Sequence, residues 1–191
     1  MRSQVRGGAV SDGPAPAGTR AFALRPAVMD DAGDLRRLIR RCVDELLPDV
    51  LTPEQVRSSH RFMSLDTQLI EDGTYFVAVD GGTIIGCGGW SFRATHYGGD
   101  GSTGRDARRL CPKSEPARIR AMYTSPAHTR RGVARAILHA SESAARAHGF
   151  TSTTLGATLG GEALYRLCGY TEIRRFHDGN VPIIEMTKPL S

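Results

Sequence analysis

The stretch Arg118–His148, RIRAMYTSPAHTRRGVARAILHASESAARAH, limits what this chain can fold into more than any other. An apolar-leaning run, Ile119–Thr124, ends at Ser125-Pro126. A short basic loop follows, with the small residues Gly132 and Ala134 two apart. From about Arg131 the spacing predicts a long helix with Val133, Ile137, Ala140, Ala144 and Ala147 on one apolar, small face that packs close to a sheet. A strand, a loop of small residues and a helix form the layout of an anion site. The first amides of a helix have no partner inside it and carry partial positive charge. A glycine at the turn lets a phosphate approach the backbone, and Arg130, Arg131 and Arg135 supply cations.

The rest of the chain supplies short elements around that unit. Residues 1–20 are Gly-, Pro- and Ala-rich and read as a flexible tail ahead of one domain over 21–191. Phe22–Pro26 reads as a first strand. Asp30 or Asp31 caps a helix through Leu35, Leu38, Ile39 and Val43 that stops at Pro48. Thr52-Pro53-Glu54-Gln55 is a capping box with proline at the first helical position, and predicts a second helix to about Ser64. Tyr75–Val79, Asp80-Gly81-Gly82 and Thr83–Trp90 read as a hairpin. Gly86, Gly88 and Gly89 in its return strand indicate a bulge or a close approach. Residues 93–117 form a long charged loop, expected as a flap over the substrate side. Thr151–Thr158 reads as a strand, Gly160–Cys168 as a short helix closed by Gly169, and Tyr170–Arg175 and Ile183–Thr187 as strands around a His177–Asn180 turn.

Composition excludes several classes. Among 191 residues 40% are hydrophobic, enough for a core, yet no apolar run approaches a membrane span, and the first residues lack the apolar middle of a signal peptide, so none is expected there. Cys42, Cys87, Cys111 and Cys168 lack metal-ligand spacing, so the expectation is a reduced, cytoplasmic chain without a metal. The net charge is +5. No basic stripe with interleaved aromatics accompanies it, so nucleic acid is not expected as a partner; a basic surface also suits a ligand with several phosphates.

From Met122, MYTSPAHTRRGVA resembles motif A of the GNAT superfamily of acyl-CoA N-acyltransferases, with Pro126, Gly132 and Ala134 on the pattern. Thr124 stands where Val is common, and Thr129 where Gln or Arg is usual. Ala163–Tyr170 is similar to the superfamily's motif B, Ala-x-Tyr-x-x-x-Gly-Phe/Tyr. The resemblance implies an α/β fold: a mixed, mostly antiparallel sheet flanked by helices and splayed at its central strands. It implies that the loop grips the coenzyme A pyrophosphate through Arg130, Arg131, Gly132, Val133, Ala134 and Arg135. It also implies that Met122, Tyr123 and Thr124 pair with the pantetheine arm and that one of their amides forms an oxyanion hole.

By the same resemblance Tyr165 is the general acid that protonates the departing CoA thiolate. Thr158 replaces the Asn common in relatives and still faces the cofactor. Thr153 stands where some relatives carry a glutamate base, and the central strand supplies no carboxylate. His96, Glu115, His177 and Asp178 remain as candidates from loops. Trp90, Phe92, His96 and Tyr97 are expected on the acceptor side. The reading is an acetyl-CoA-dependent N-acetyltransferase acting by direct transfer on an amine, with a small molecule favoured, a peptide amine as the other acceptor class, and a homodimer possible. The alternative is a GNAT-fold module that binds acyl-CoA without transferring.

Overall fold

The computed structural model describes residues 22–190. The tail expected over 1–20 lies outside the described residues. Seven strands form one sheet: β1 (Ala23–Pro26), β2 (Tyr75–Asp80), β3 (Thr83–Ser91), β4 (Ala117–Thr124), β5 (Ser152–Ala157), β6 (Thr171–Asp178) and β7 (Val181–Pro189), ordered β1-β2-β3-β4-β5-β7-β6. Every neighbouring pair is antiparallel except β4 and β5. Five helices flank it: α1 (Ala32–Leu46), α2 (Pro53–Ser59), α3 (Thr67–Glu71), α4 (Val133–Ala147) and α5 (Glu162–Leu167).

The period-2 pattern of β2 divides the sheet's faces. Tyr75 and Val77 pack with Leu35, Leu38 and Ile39 of α1, together with Cys87 and Tyr123. Ala78 packs with Val133 and Ile137 of α4. The glycines of β3 permit α4 to lie this close. A Cβ on Gly86 would stand 2.5 Å from Val133 Cγ1, and one on Gly88 2.2 Å from Met122 Sδ. Both alternatives open in the sequence are realised, because the β3–β4 register also shifts between Cys87 and Gly89. The extra residue falls in β4, where Ala121 adopts φ 52° and its carbonyl accepts a hydrogen bond from Tyr75 Oη at 2.9 Å. The hairpin turn carries Gly81 and Gly82 at φ 55° and 82°, which the expected tight turn requires.

Four local expectations are corrected. Asp31 does not cap α1 with its side chain; its carboxylate is held by the Arg25 fork at 2.7 Å and by the Val28 amide at 2.9 Å. The Thr52–Gln55 capping box forms, but α2 ends at Ser59 rather than Ser64, and α3, absent from the sequence reading, starts at Thr67 under the Asp66 cap. The packed face of α4 runs through Val133, Ala136, Ile137, Ser141 and Ala145, while Ala147 is exposed. His177 and Asp178 belong to β6, so the turn is Gly179-Asn180.

The loop after β3 is fastened at both ends, not free as a flap. Its stem is a ladder in which Ala94 N–H donates to Arg108 O and Leu110 N–H to Phe92 O, each 2.8 Å. Its tip docks on the segment before α3. Gly99 N–H donates to Phe62 O at 3.1 Å and Asp100 N–H to Leu65 O at 2.9 Å, while Asp100 Oδ1 accepts the Thr67 amide at 2.8 Å. A Cβ on Gly99 would stand 2.1 Å from Ser64 Oγ, so only glycine permits the docking.

Candidate active site

The parallel pair β4–β5 holds only at its start. Ala117 faces Thr153 and Arg118 faces Thr154, after which the strands diverge. The β5-side edge of Ile119–Thr124 is therefore left without a strand partner. A cavity of about 130 Å³ occupies the gap. Its walls include Met122 and Tyr123 of β4, Gly156 and Thr158 at the end of β5, Tyr165 of α5, and Phe62 and Tyr97 from the docked segments.

Tyr165 is buried, with its ring edge-on to Tyr170 at 5.7 Å. Its hydroxyl has no hydrogen-bond partner among the described residues. Burial pushes its pKa well above the usual phenol value, as it does for Tyr123, so both hold their protons at neutral pH.

At the mouth of the same gap the chain after β4 makes a short turn, Pro126–His128, and enters α4 through Arg130 at φ 62° and Gly132 at φ 81°. The first α4 hydrogen bond runs from Ala136 N–H to Gly132 O, 3.0 Å. The amides from Arg130 to Arg135 have no backbone partner among the described residues. Nothing stands within 4 Å of the place a Gly132 Cβ would take. Free amides, open space and the exposed cations Arg130, Arg131 and Arg135 fit a phosphate group. Arg131 also lies 3.9 Å from Asp80.

A second cavity, about 850 Å³, adjoins the first and shares Phe62, Tyr97 and Gly98 with it. His96, Ser102 and Asp178 also line it. The aromatic residues expected on the acceptor side therefore separate. His96 and Tyr97 face this cavity, but Trp90 and Phe92 do not line either one. Trp90 is 1% exposed and packs against His148 at 4.8 Å and Phe150 at 5.9 Å; Phe92 meets it edge-on at 6.0 Å and carries Arg109 over its ring. The alternation of β3 turns Trp90 to the α4 face, where its large apolar area is buried.

Other candidates are spoken for. Glu115 is gripped by the Arg108 fork and the Cys111 amide, which lower its pKa to about 2. Thr153 bonds the Tyr170 hydroxyl at 2.9 Å. His177 is exposed and lines neither cavity.

Two groups at the site were missed by sequence reasoning. Asp66 is fully buried and Arg120 is 4% exposed. They approach to 2.8 Å, an ion pair without the alignment of a hydrogen bond. Arg105 adds a second pair to Asp66 at 2.5 Å, and Arg120 also donates to Gly98 O. This cluster bolts the loop tip, the α3 cap and β4 together behind the cavity. Arg118-x-Arg120 inside an apolar strand was the available signal, since buried cations require partners. Glu185 is the other: it pairs with Arg174 at 2.6 Å and lies in register with Gly156 of the cavity wall.

An open sheet is parted at its centre, and the helix that follows begins with unpaired amides. The model of the Acetyltransferase (GNAT) family matches residues 37–170, and the chain belongs to that family. No curated protein matches the sequence. Among solved structures, the chain is similar to a GCN5-related N-acetyltransferase from Rhodopseudomonas palustris: 19% identity, 93% of this chain and 100% of that one, TM-score 0.66. It is also similar to the PaiA N-acetyltransferase from Thermoplasma acidophilum in complex with coenzyme A, at 13% identity, coverage of 88% and 98%, and TM-score 0.62. A third is the ribosomal-protein-S18-alanine N-acetyltransferase from Escherichia coli, at 15% identity, 89% and 94%, and TM-score 0.56. At these identities the structures establish a shared fold.

Proposed function

We propose that the protein transfers an acetyl group from acetyl-CoA to an amine, directly and within a ternary complex. The observation that carries this reading is the parting of β4 from β5 beside free amides, with Tyr165 in the gap. In it the Arg130–Arg135 amides and arginines hold the pyrophosphate, the open edge of Met122–Thr124 pairs with the pantetheine arm, and Thr158 stands at the opposite wall. The amine nitrogen attacks the thioester carbonyl, a β4 amide stabilises the oxyanion, and the Tyr165 hydroxyl gives its proton to the departing thiolate. The coenzyme A complex of the Thermoplasma protein supports coenzyme A as the carrier.

Direct transfer is favoured over an acyl-enzyme because no cysteine lines either cavity, and burial pushes the Cys42 and Cys87 thiols up to about 12. The concave second cavity, about 850 Å³, favours a small amine as acceptor over a flat protein surface. The free thiols of all four cysteines suit a cytoplasmic setting. The test is a thermal shift with acetyl-CoA followed by free-thiol release across an amine panel. Stabilisation with thiol release on one amine class supports transfer. Stabilisation without release on any amine makes the chain an acyl-CoA-binding module.

A further inference from the structure

We propose that His96, oriented by Glu185, is the catalytic base that takes the proton of the acceptor amine. The inference rests on the transfer reading above and assigns a group it leaves unfilled, since the central strand carries no carboxylate base. The two ring nitrogens of His96 have different surroundings. Nε2 is turned inward and lies 3.4 Å from Glu185 Oε1, without the alignment of a full hydrogen bond. Nδ1 has no hydrogen bond among the described residues and is not sealed from solvent, in a side chain that lines the larger cavity. A carboxylate behind one nitrogen favours its N–H form and leaves the lone pair of the other outward, the arrangement a base needs.

The position also fits. His96 is edge-on to Tyr97 at 5.8 Å, and Tyr97 walls both cavities. Glu185 sits across from Gly156, which lines the cavity of Tyr165. The base and the acid thus line adjoining cavities that share the Tyr97 wall. In the step, the ammonium N–H bond of the bound acceptor breaks and its proton passes to His96 Nδ1. The freed nitrogen pair forms the C–N bond as the C–S bond breaks, and the thiolate takes the Tyr165 proton. The new amide nitrogen gives up its remaining extra proton, through water, to the Tyr165 phenolate, and His96 returns its own to solvent, so the cycle closes without a further reactant.

The charged groups that bear on His96 are Arg118 and Arg120 of β4, Arg174 of β6 and Glu185 of β7. Burial lowers its pKa below 6.5, Arg118 and the other arginines add to that, and Glu185 opposes it. The imidazole is therefore neutral at physiological pH and able to accept a proton.

The experiment is kcat against pH, at saturating acetyl-CoA and an amine that supports turnover, for wild type, His96→Gln and Glu185→Gln. Wild type should rise with pH through an acid limb below about 6.5 and then level. His96→Gln should lose that limb and fall on the order of 10²-fold. Glu185→Gln should keep the limb but move it to lower pH, because the group that raises the His96 pKa is gone; a merely structural Glu185 would not move it. Unchanged stabilisation by acetyl-CoA shows that each variant is folded. A His96→Gln enzyme with wild-type kcat and its acid limb intact overturns the proposal and leaves the transferase reading standing. A wild-type protein that transfers to no amine removes both.

Discussion

Replacing Tyr165 with phenylalanine separates chemistry from architecture at this site. The ring stays on Tyr170, and the hydroxyl bonds to no described residue. Its removal orphans no donor or acceptor, so the stability cost is below about 1 kcal/mol. The kinetic cost is larger. General acids contribute roughly 10²–10⁴ to rate. Burial has raised the Tyr165 pKa above the ordinary phenol range, so it is a weaker acid than a thiol of pKa about 8.5. The gap exceeds about 1.5 units, a cost of at least about 2 kcal/mol for full proton transfer, which sets the contribution at the lower end. The expected loss in kcat is about 10²-fold, or about 2.7 kcal/mol of barrier. Thiol release at saturating acetyl-CoA gives kcat, and the melting shift with acetyl-CoA gives binding, which should hold. A variant within twofold of wild-type kcat refutes the acid role. Lost kcat with an equal loss of acetyl-CoA stabilisation makes Tyr165 a binding residue instead.

Three further outcomes are expected. Gly132→Ala meets no neighbour but strains a residue at φ 81°, costing about 1–2 kcal/mol, and its methyl stands where a phosphate would approach. The KM for acetyl-CoA should rise more than kcat falls in steady-state assays. Asp66→Ala leaves Arg120 buried with only Gly98 O as a partner, and urea unfolding should show a loss of about 3–5 kcal/mol; a loss under about 1 kcal/mol would mean water reaches the pair. The Glu115 carboxylate, its pKa lowered to about 2 by Arg108, should stay ionised at pH 3 in carbon-detected NMR. Its folded pKa lies below the unfolded value of about 4.3, so its contribution is full above that pH and is lost as pH falls through about 2.

The half of the site proposed to hold the cofactor was legible as structure because it is local. A strand, a turn that needs left-handed backbone and a helix start are contiguous in Arg118–His148, and the free amides follow from that order alone. The short α5 and Tyr165 were legible for the same reason, since Gly169 at φ 88° stops the helix where the sequence placed it. The half proposed for the acceptor is made from distant pieces. Arg120 meets Asp66 and Gly98, His96 meets Glu185, and the Phe62 segment closes the wall; no period of 2 or 3.6 encodes such meetings. Trp90 shows the direction of the error. Its position at the end of β3 is compatible with either face, and an aromatic beside a charged loop suggested a pocket. The alternation through Gly86 and Gly88, which face α4, instead sends it under that helix.

The same packing explains why the site parts where it does. Thr153 and Thr154 spend their hydroxyls on Tyr170 and on Met186 O, which ties the start of β5 to β7 and to the chain after α5. The bulge and the Tyr75 hydroxyl tie the outer half of β4 to the β2–β3 hairpin. Each strand is held by its own neighbour, and neither is held by the other beyond Arg118. A ligand that adds hydrogen bonds along the open edge of β4 therefore completes the sheet without breaking any existing pair. That makes the cleft a property of two separately anchored halves, and on the proposed function the 96–101 loop tip, bolted through Asp66 and Arg120, is the part that would fix the acceptor's position relative to it.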